Sequence, residues 1–207
     1  MERIEKGKVL KAEDLLPMKA GHTISKAIDD HFVLFSLAED TDISPETYLE
    51  DKSYFVFKGE ADVVGQHLKQ GDFIVIKSET LLGIETTGGA YILEGTWKGD
   101  EDMKLEKGVV LSLKDQVEIV EGGIANMDIA KREGMKFALL AFDKGQGLTP
   151  HSAPGDALVI ALEGRARLTM GDVVAEVEAG DQFVFERNIP HGVEALTPFK
   201  MALLMVV

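Results

Sequence analysis

The chain repeats itself, and this restricts its fold more than any other property. The segment EKGKVL at 5–10 returns as EKGVVL at 106–111, an offset of 101. The offset then becomes 105 and holds without a gap. Across it Ile24, Lys26, Phe32, Leu34, Pro45, Asp51, Gly59 and Ala61 meet Ile129, Lys131, Phe137, Leu139, Pro150, Asp156, Gly164 and Ala166. A longer hairpin in the second half moves the offset to 109, where Gly71, Asp72, Val75, Gly83 and Glu85 meet Gly180, Asp181, Val184, Gly192 and Glu194. Glycine, proline and aspartate coincide at turns, so the 207 residues read as two copies of one fold. The polar stretch KGDEDMKLEK at 98–107 contains the join, giving domains at 1–104 and 105–207.

Each copy reads as short β-strands. FALLAF (137–142) and ALVIAL (157–162) are apolar on both parities, the pattern of strands buried on two faces. ARLTM, a turn at 170–172 and the return at 173–177 form a hairpin, and the turn at 179–181 leads into QFVFE. MALLMVV closes the chain as a buried strand. The second copy has no long 3.6-residue apolar stripe. Strands at this spacing, punctuated by glycine, predict an all-β chain of sandwiches or small barrels.

Charge and composition narrow the partners. The net charge is −14, divided as −9 over 1–104 and −5 over 105–207. Neither copy offers the basic patch that a polyanion requires, so nucleic acid and anionic membrane surfaces are not expected partners. No apolar run approaches the ~18 residues of a spanning helix. The first fourteen residues mix both charge signs without an apolar signal core, so a cytoplasmic location is expected. With no cysteine, any metal site must use the five histidines and oxygen ligands.

Two segments of the second copy carry a family resemblance. GLTPHSAPGDALVIALEG (147–164) and GDQFVFERNIPHG (180–192) resemble the paired motifs of the cupins. In that family the first motif runs glycine, His-x-His, Glu and glycine; the second runs glycine, Asp, an apolar strand, Pro and His. The match covers nearly all of 121–207 and, through the repeat, most of the first copy. It implies a bicupin: tandem double-stranded β-helix (jelly-roll) barrels related by a pseudo-twofold.

The resemblance also implies a divalent metal at the barrel mouth. His151 matches the first histidine and His191 the last, but the second histidine is Ala153 and the glutamate Ala157. Half the shell is missing. Asp156 is one residue off, and such a shift along a strand turns a side chain to the other face. It recurs as Asp51 in the first copy, which favours a strand-entry role. The remaining His pair suits zinc, nickel, iron or copper with water or a substrate oxygen completing the shell. Equally, it suits a hydrogen-bonded pair lining a metal-free ligand pocket.

Parity places Ala153, Ala157, Val159 and Ala161 on the pocket wall and turns Leu158, Ile160 and Leu162 outward. An outward apolar row needs cover from the other barrel, the N-terminal strands or a second subunit, and a homodimer is expected. The first copy has Glu46, Tyr48, Lys52 and Leu82 at the four ligand positions, which predicts a structural barrel in which Glu46 and Lys52 could pair. His22, His31 and His67 fall outside the pattern. Arg165 and Arg167 alternate on one strand and read as surface residues or a carboxylate clamp. Three readings follow: a protein binding a small organic molecule, with metal optional; a metal-dependent enzyme of dioxygenase or isomerase type; and a structural, oligomerising protein. The lost ligands weigh against the second, and the retained His pair against the third.

Overall fold

A computed structural model describes residues 4–97, 103–132 and 134–207. Two compact units emerge, Ala12–Ser112 and a second that joins Met1–Lys11 to Leu113–Val207. Among the described residues no helix is long and apolar enough to cross a membrane.

The first unit contains β1 (Thr23–Ala27), β2 (Phe32–Leu37), β3 (Thr41–Thr47), β4 (Asp51–Val63), β5 (Gln66–Lys69), β6 (Asp72–Ile76), β7 (Leu81–Thr86), β8 (Ala90–Trp97) and β9 (Leu111–Ser112). The second contains β10 (Ile124–Arg132), β11 (Met135–Phe142), β12 (Gly147–His151), β13 (Asp156–Glu163), β14 (Arg165–Met170), β15 (Val173–Glu178), β16 (Gln182–Phe185), β17 (His191–Ala195) and β18 (Phe199–Val206). Both are all-β jelly rolls with the same connectivity. The order β1-β2-β8-β4-β6 in one sheet of the first unit matches β10-β11-β18-β13-β16 in the second. On the facing sheet, β3 and β7 with the end of β4 and β5 correspond to β12-β17-β14-β15. Strand β4 does the work of β13 and β14 together.

The units divide the chain differently from 1–104 and 105–207, and the repeated EKG segments explain why. Residues 7–10 pair with β16 of the second unit: Gly7 N–H donates to Val184 O at 3.1 Å, and Leu10 and Gln182 exchange both backbone bonds. At the equivalent place in the first unit, Gly108 N–H donates to Val75 O at 2.7 Å. The side chains follow suit. Lys6 Nζ lies 2.9 Å from Asp156, and Lys107 Nζ 2.6 Å from Asp51. Each strap therefore seals the sheet edge of the opposite copy, supplying the partners that an exposed edge lacks.

The core of the second unit gathers Ala157, Val159 and Ala161 with Leu140, Phe142, Phe183, Phe185 and Phe199. On the other face of β13, Leu158 and Ile160 are only 2% and 3% exposed and Leu162 is half-buried. This row is covered within the single chain, so the reason given for expecting a homodimer falls away.

Candidate functional site

Strand pairing brings the two predicted histidines together. His151 ends β12, His191 begins β17, and the antiparallel register sets them directly opposite. Directly opposed residues share a sheet face. Their ring centroids are 4.8 Å apart with the planes at 57°. Phe185, on β16, stacks on His191 at 4.4 Å and 14°. His191 is buried (5% exposed), while His151 opens to solvent.

The hydrogen bonds fix the tautomers. His151 Nδ1 donates to Thr149 O at 3.0 Å, and His191 Nδ1 to Ile189 O at 2.9 Å. A carbonyl only accepts, so each Nδ1 carries the proton and each neutral ring keeps its lone pair on Nε2. Burial pulls the His191 pKa below the usual imidazole range; the Ile189 carbonyl opposes this and a charged His151 adds to it. His191 thus favours the neutral, ligating form.

Two free Nε2 lone pairs fit a borderline divalent ion that takes its remaining ligands from water or a bound oxygen atom. They do not make a closed structural site. Among the described residues no cluster of three or more His, Asp or Glu is placed to hold a metal. Ala157 sits opposite Phe185 in the β13–β16 register, so the position of the absent glutamate is backed by an aromatic ring. Ala153 lies in the loop after β12, half-buried, its carbonyl accepting from Asn188 N–H at 2.8 Å. Ala157, Val159 and Ala161 face the packed interior among the phenylalanines, so these three belong to the core and not to an open pocket wall as parity predicted. The sequence reading passed over Phe185; the parity of QFVFE, with Phe183 and Phe185 on one face, is the signal that marks it.

Asp156 does not join the histidines. Buried at the start of β13, it accepts from Lys6 Nζ at 3.0 Å and from Arg187 N–H at 3.0 Å. Burial pushes its carboxyl up, the Lys6 ammonium and the Arg187 N–H pull it down, and on balance it lies below the ordinary carboxylate range. The folded state therefore binds this proton more weakly than the unfolded chain. The resulting stability is complete above the unfolded value near ~3.9 and is lost as pH falls through the folded value. Replacing Asp156→Asn should cost about 2–3 kcal/mol at pH 7, because Lys6 loses its nearer counter-charge and keeps only Glu186, 3.8 Å away and half exposed. The gap from the natural protein should narrow at pH 3. Urea unfolding at both pH values checks this; an equal loss at each would rule out the charge as the cause.

In the first unit, Glu46 and Leu82 occupy the same register pair as the two histidines. Glu46 and Lys52 do not pair. Lys52 Nζ instead bonds Glu94 at 3.0 Å and Thr96 Oγ1 at 2.9 Å, and it lies 4.6 Å from the centre of the Tyr48 ring. Glu94 also accepts from Tyr54 at 2.8 Å, and Glu46 from Tyr48 at 3.1 Å. Burial and the Glu94 carboxylate push the Tyr54 hydroxyl far up, so it stays a donor. Arg167 lies on the outer face against Glu194 (2.8 Å) and Glu176 (3.5 Å), away from the site.

Comparison with solved structures decides the family. A Cupin 2 conserved barrel domain protein from Leptotrichia buccalis is 30% identical over 99% of both chains, with a TM-score of 0.84. The chain is a cupin. The cupin domain model itself matches residues 138–207, the part that carries the histidines. A salicylate 1,2-dioxygenase from Pseudoaminobacter salicylatoxidans superposes with a TM-score of 0.67 over 99% of this cupin and 86% of the dioxygenase. At 13% identity that likeness shows the fold alone. A putative glyoxylate-induced protein from Pseudomonas aeruginosa, 17% identical, covers 96% of this chain and 87% of its own, with a TM-score of 0.62. Among curated proteins none matches.

Proposed function

We propose that this cupin binds a small organic molecule at the mouth of its second barrel, next to a divalent transition metal held by His151 and His191. The observation that supports it is the tautomer lock: both Nδ1 atoms are committed to backbone carbonyls, so both Nε2 atoms are free on one sheet face. The metal would supply Lewis acidity toward a ligand oxygen. The protein's own part is to orient the imidazoles, with Phe185 fixing the His191 ring plane and the packed interior keeping the ligand at the mouth.

Isothermal titration with zinc and nickel tests this. The natural protein should bind, and His151→Ala or His191→Ala should weaken binding at least tenfold, or ~1.4 kcal/mol. Affinity should fall as pH drops below the ordinary imidazole value near ~6.5, because only neutral imidazole ligates, with His191 staying neutral to lower pH than an unperturbed imidazole. Asp156→Asn should keep its metal affinity while losing stability. Equal affinity in the natural protein and His151→Ala would sink the site.

A further inference from the structure

The outer face of the first unit carries a row of charge that the repeat did not preserve. Across β3, β7, β4 and β5 the register lines up Asp42, Glu85, Asp62 and His67. The same row in the second unit is Gly147, Glu194, Arg167 and Glu176. There one guanidinium lies between two carboxylates and bonds both, Glu194 at 2.8 Å and Glu176 at 3.5 Å. Here the central cation is replaced by Asp62, and carboxylates face each other directly on neighbouring strands, an unfavourable pairing. Among the described residues no lysine or arginine pairs with Asp42, Glu85 or Asp62; His67, 3.3 Å from Asp62 and 3.6 Å from Glu60, is the one basic group alongside.

These carboxylates line a groove of about 400 Å³ whose apolar wall includes Ile43, Pro45, Val64 and Leu81. Leu81 is 64% exposed. Val64 is stranger still. It sits at the hairpin tip with a φ of 52°, a left-handed conformation that β-branched residues avoid. The second unit places Gly171 at its matching hairpin tip, with a φ of 55°. The Val64 N–H ties this tip to β7 through Gly83 O at 3.1 Å, and the residue itself adds an apolar contact to the groove.

We propose that this groove docks an extended segment of a partner protein that presents an arginine flanked by apolar side chains. The guanidinium takes the place that Arg167 fills in the second unit, bridging carboxylates on adjacent strands, and its fork geometry suits that better than an ammonium. The flanking side chains cover Leu81, Val64 and Pro45.

The probe is the blocked pentapeptide Leu-Val-Arg-Val-Leu, compared with the same peptide carrying citrulline, which has nearly the same shape and no charge. Titration followed by backbone amide NMR should shift Asp42, Asp62, Val64, Leu81 and Glu85, with citrulline binding at least tenfold weaker. Asp62→Arg, which builds the second unit's bridge into the first, should abolish binding while the protein stays folded. Leu81→Ser should weaken binding without touching the charges, and serves if Asp62→Arg does not fold. No shift in these residues, equal binding of the two peptides, or full binding by Asp62→Arg or Leu81→Ser would overturn the proposal. So would a groove that responds to protein concentration alone, which would assign it to a second copy of this chain.

Discussion

Replacing Glu94→Leu should cost about 3–5 kcal/mol, because it strands the Lys52 ammonium inside the first barrel with one hydroxyl and an aromatic face for company. Side chains of Lys52 and Glu94 are each only 11% exposed. Tyr54, fully buried, would lose the acceptor for its hydroxyl in the same step. Yet the fold does not require charge here. By the repeat, Lys52, Tyr54 and Glu94 correspond to Ala157, Val159 and Leu203, all apolar. The cross-strand neighbours compensate in volume: Ile76 and Ile74 face Lys52 and Tyr54, whereas Phe185 and Phe183 face Ala157 and Val159. The triple variant Lys52→Met, Tyr54→Phe, Glu94→Leu keeps the volumes and removes both charges and the Tyr54 hydroxyl together, leaving the half-buried Thr96 hydroxyl to bond water in place of Lys52. It should lie within about 1–2 kcal/mol of the natural protein, or above it, since apolar replacement of a whole buried pair is often neutral or stabilising. The single tryptophan reports on this barrel directly, because Trp97 is buried there with its Nε1 on Ser53 Oγ at 2.8 Å. Urea unfolding followed by its fluorescence should separate the two variants clearly. A triple variant as unstable as Glu94→Leu would mean that the charges themselves hold the barrel together.

The same network marks where sequence reading stops. The repeat, the strands and the His151–His191 pairing were legible, because glycine turns and alternating apolar residues are local patterns and the motif spacing fixes which strands face each other. The partner of Lys52 was not. Glu94 is brought to it by the β4–β8 register, a pairing between distant segments that no local pattern encodes. The straps show a subtler limit. EKGKVL and EKGVVL stood out as repeats with an offset of 101 instead of 105, but nothing in either segment says which copy it will seal. Lys6–Asp156 and Lys107–Asp51 become visible as equivalent pairs only once the edges of β16 and β6 are known. Likewise, the two-faced apolar run at 157–162 predicted burial on both sides, but local pattern could not choose between cover from within the chain and cover from a second subunit.

The glycine positions, by contrast, are readable in advance and predict the largest loss. Gly59 and Gly164 are repeat equivalents, with φ values of 79° and 75°. Each sits where the chain bends from one sheet into the other. A Cβ at Gly164 would lie 1.8 Å from Pro198 O, and one at Gly59 2.0 Å from Gly89 O. Those are backbone atoms, which cannot rotate aside. Gly164→Ala should therefore cost about 4 kcal/mol or more, the range reserved for substitutions that displace backbone. Gly171→Ala is the control. Its φ of 55° carries the same left-handed penalty of about 1 kcal/mol, but its nearest neighbour is the Ile189 side chain at 3.5 Å, ordinary contact. The difference between the two variants isolates the collision from the conformational cost. Thermal unfolding followed by circular dichroism should show Gly171→Ala melting a few degrees below the natural protein, and Gly164→Ala far lower or unfolded. Equal melting points would mean that the loop around Pro198 yields, and that the bend does not depend on glycine.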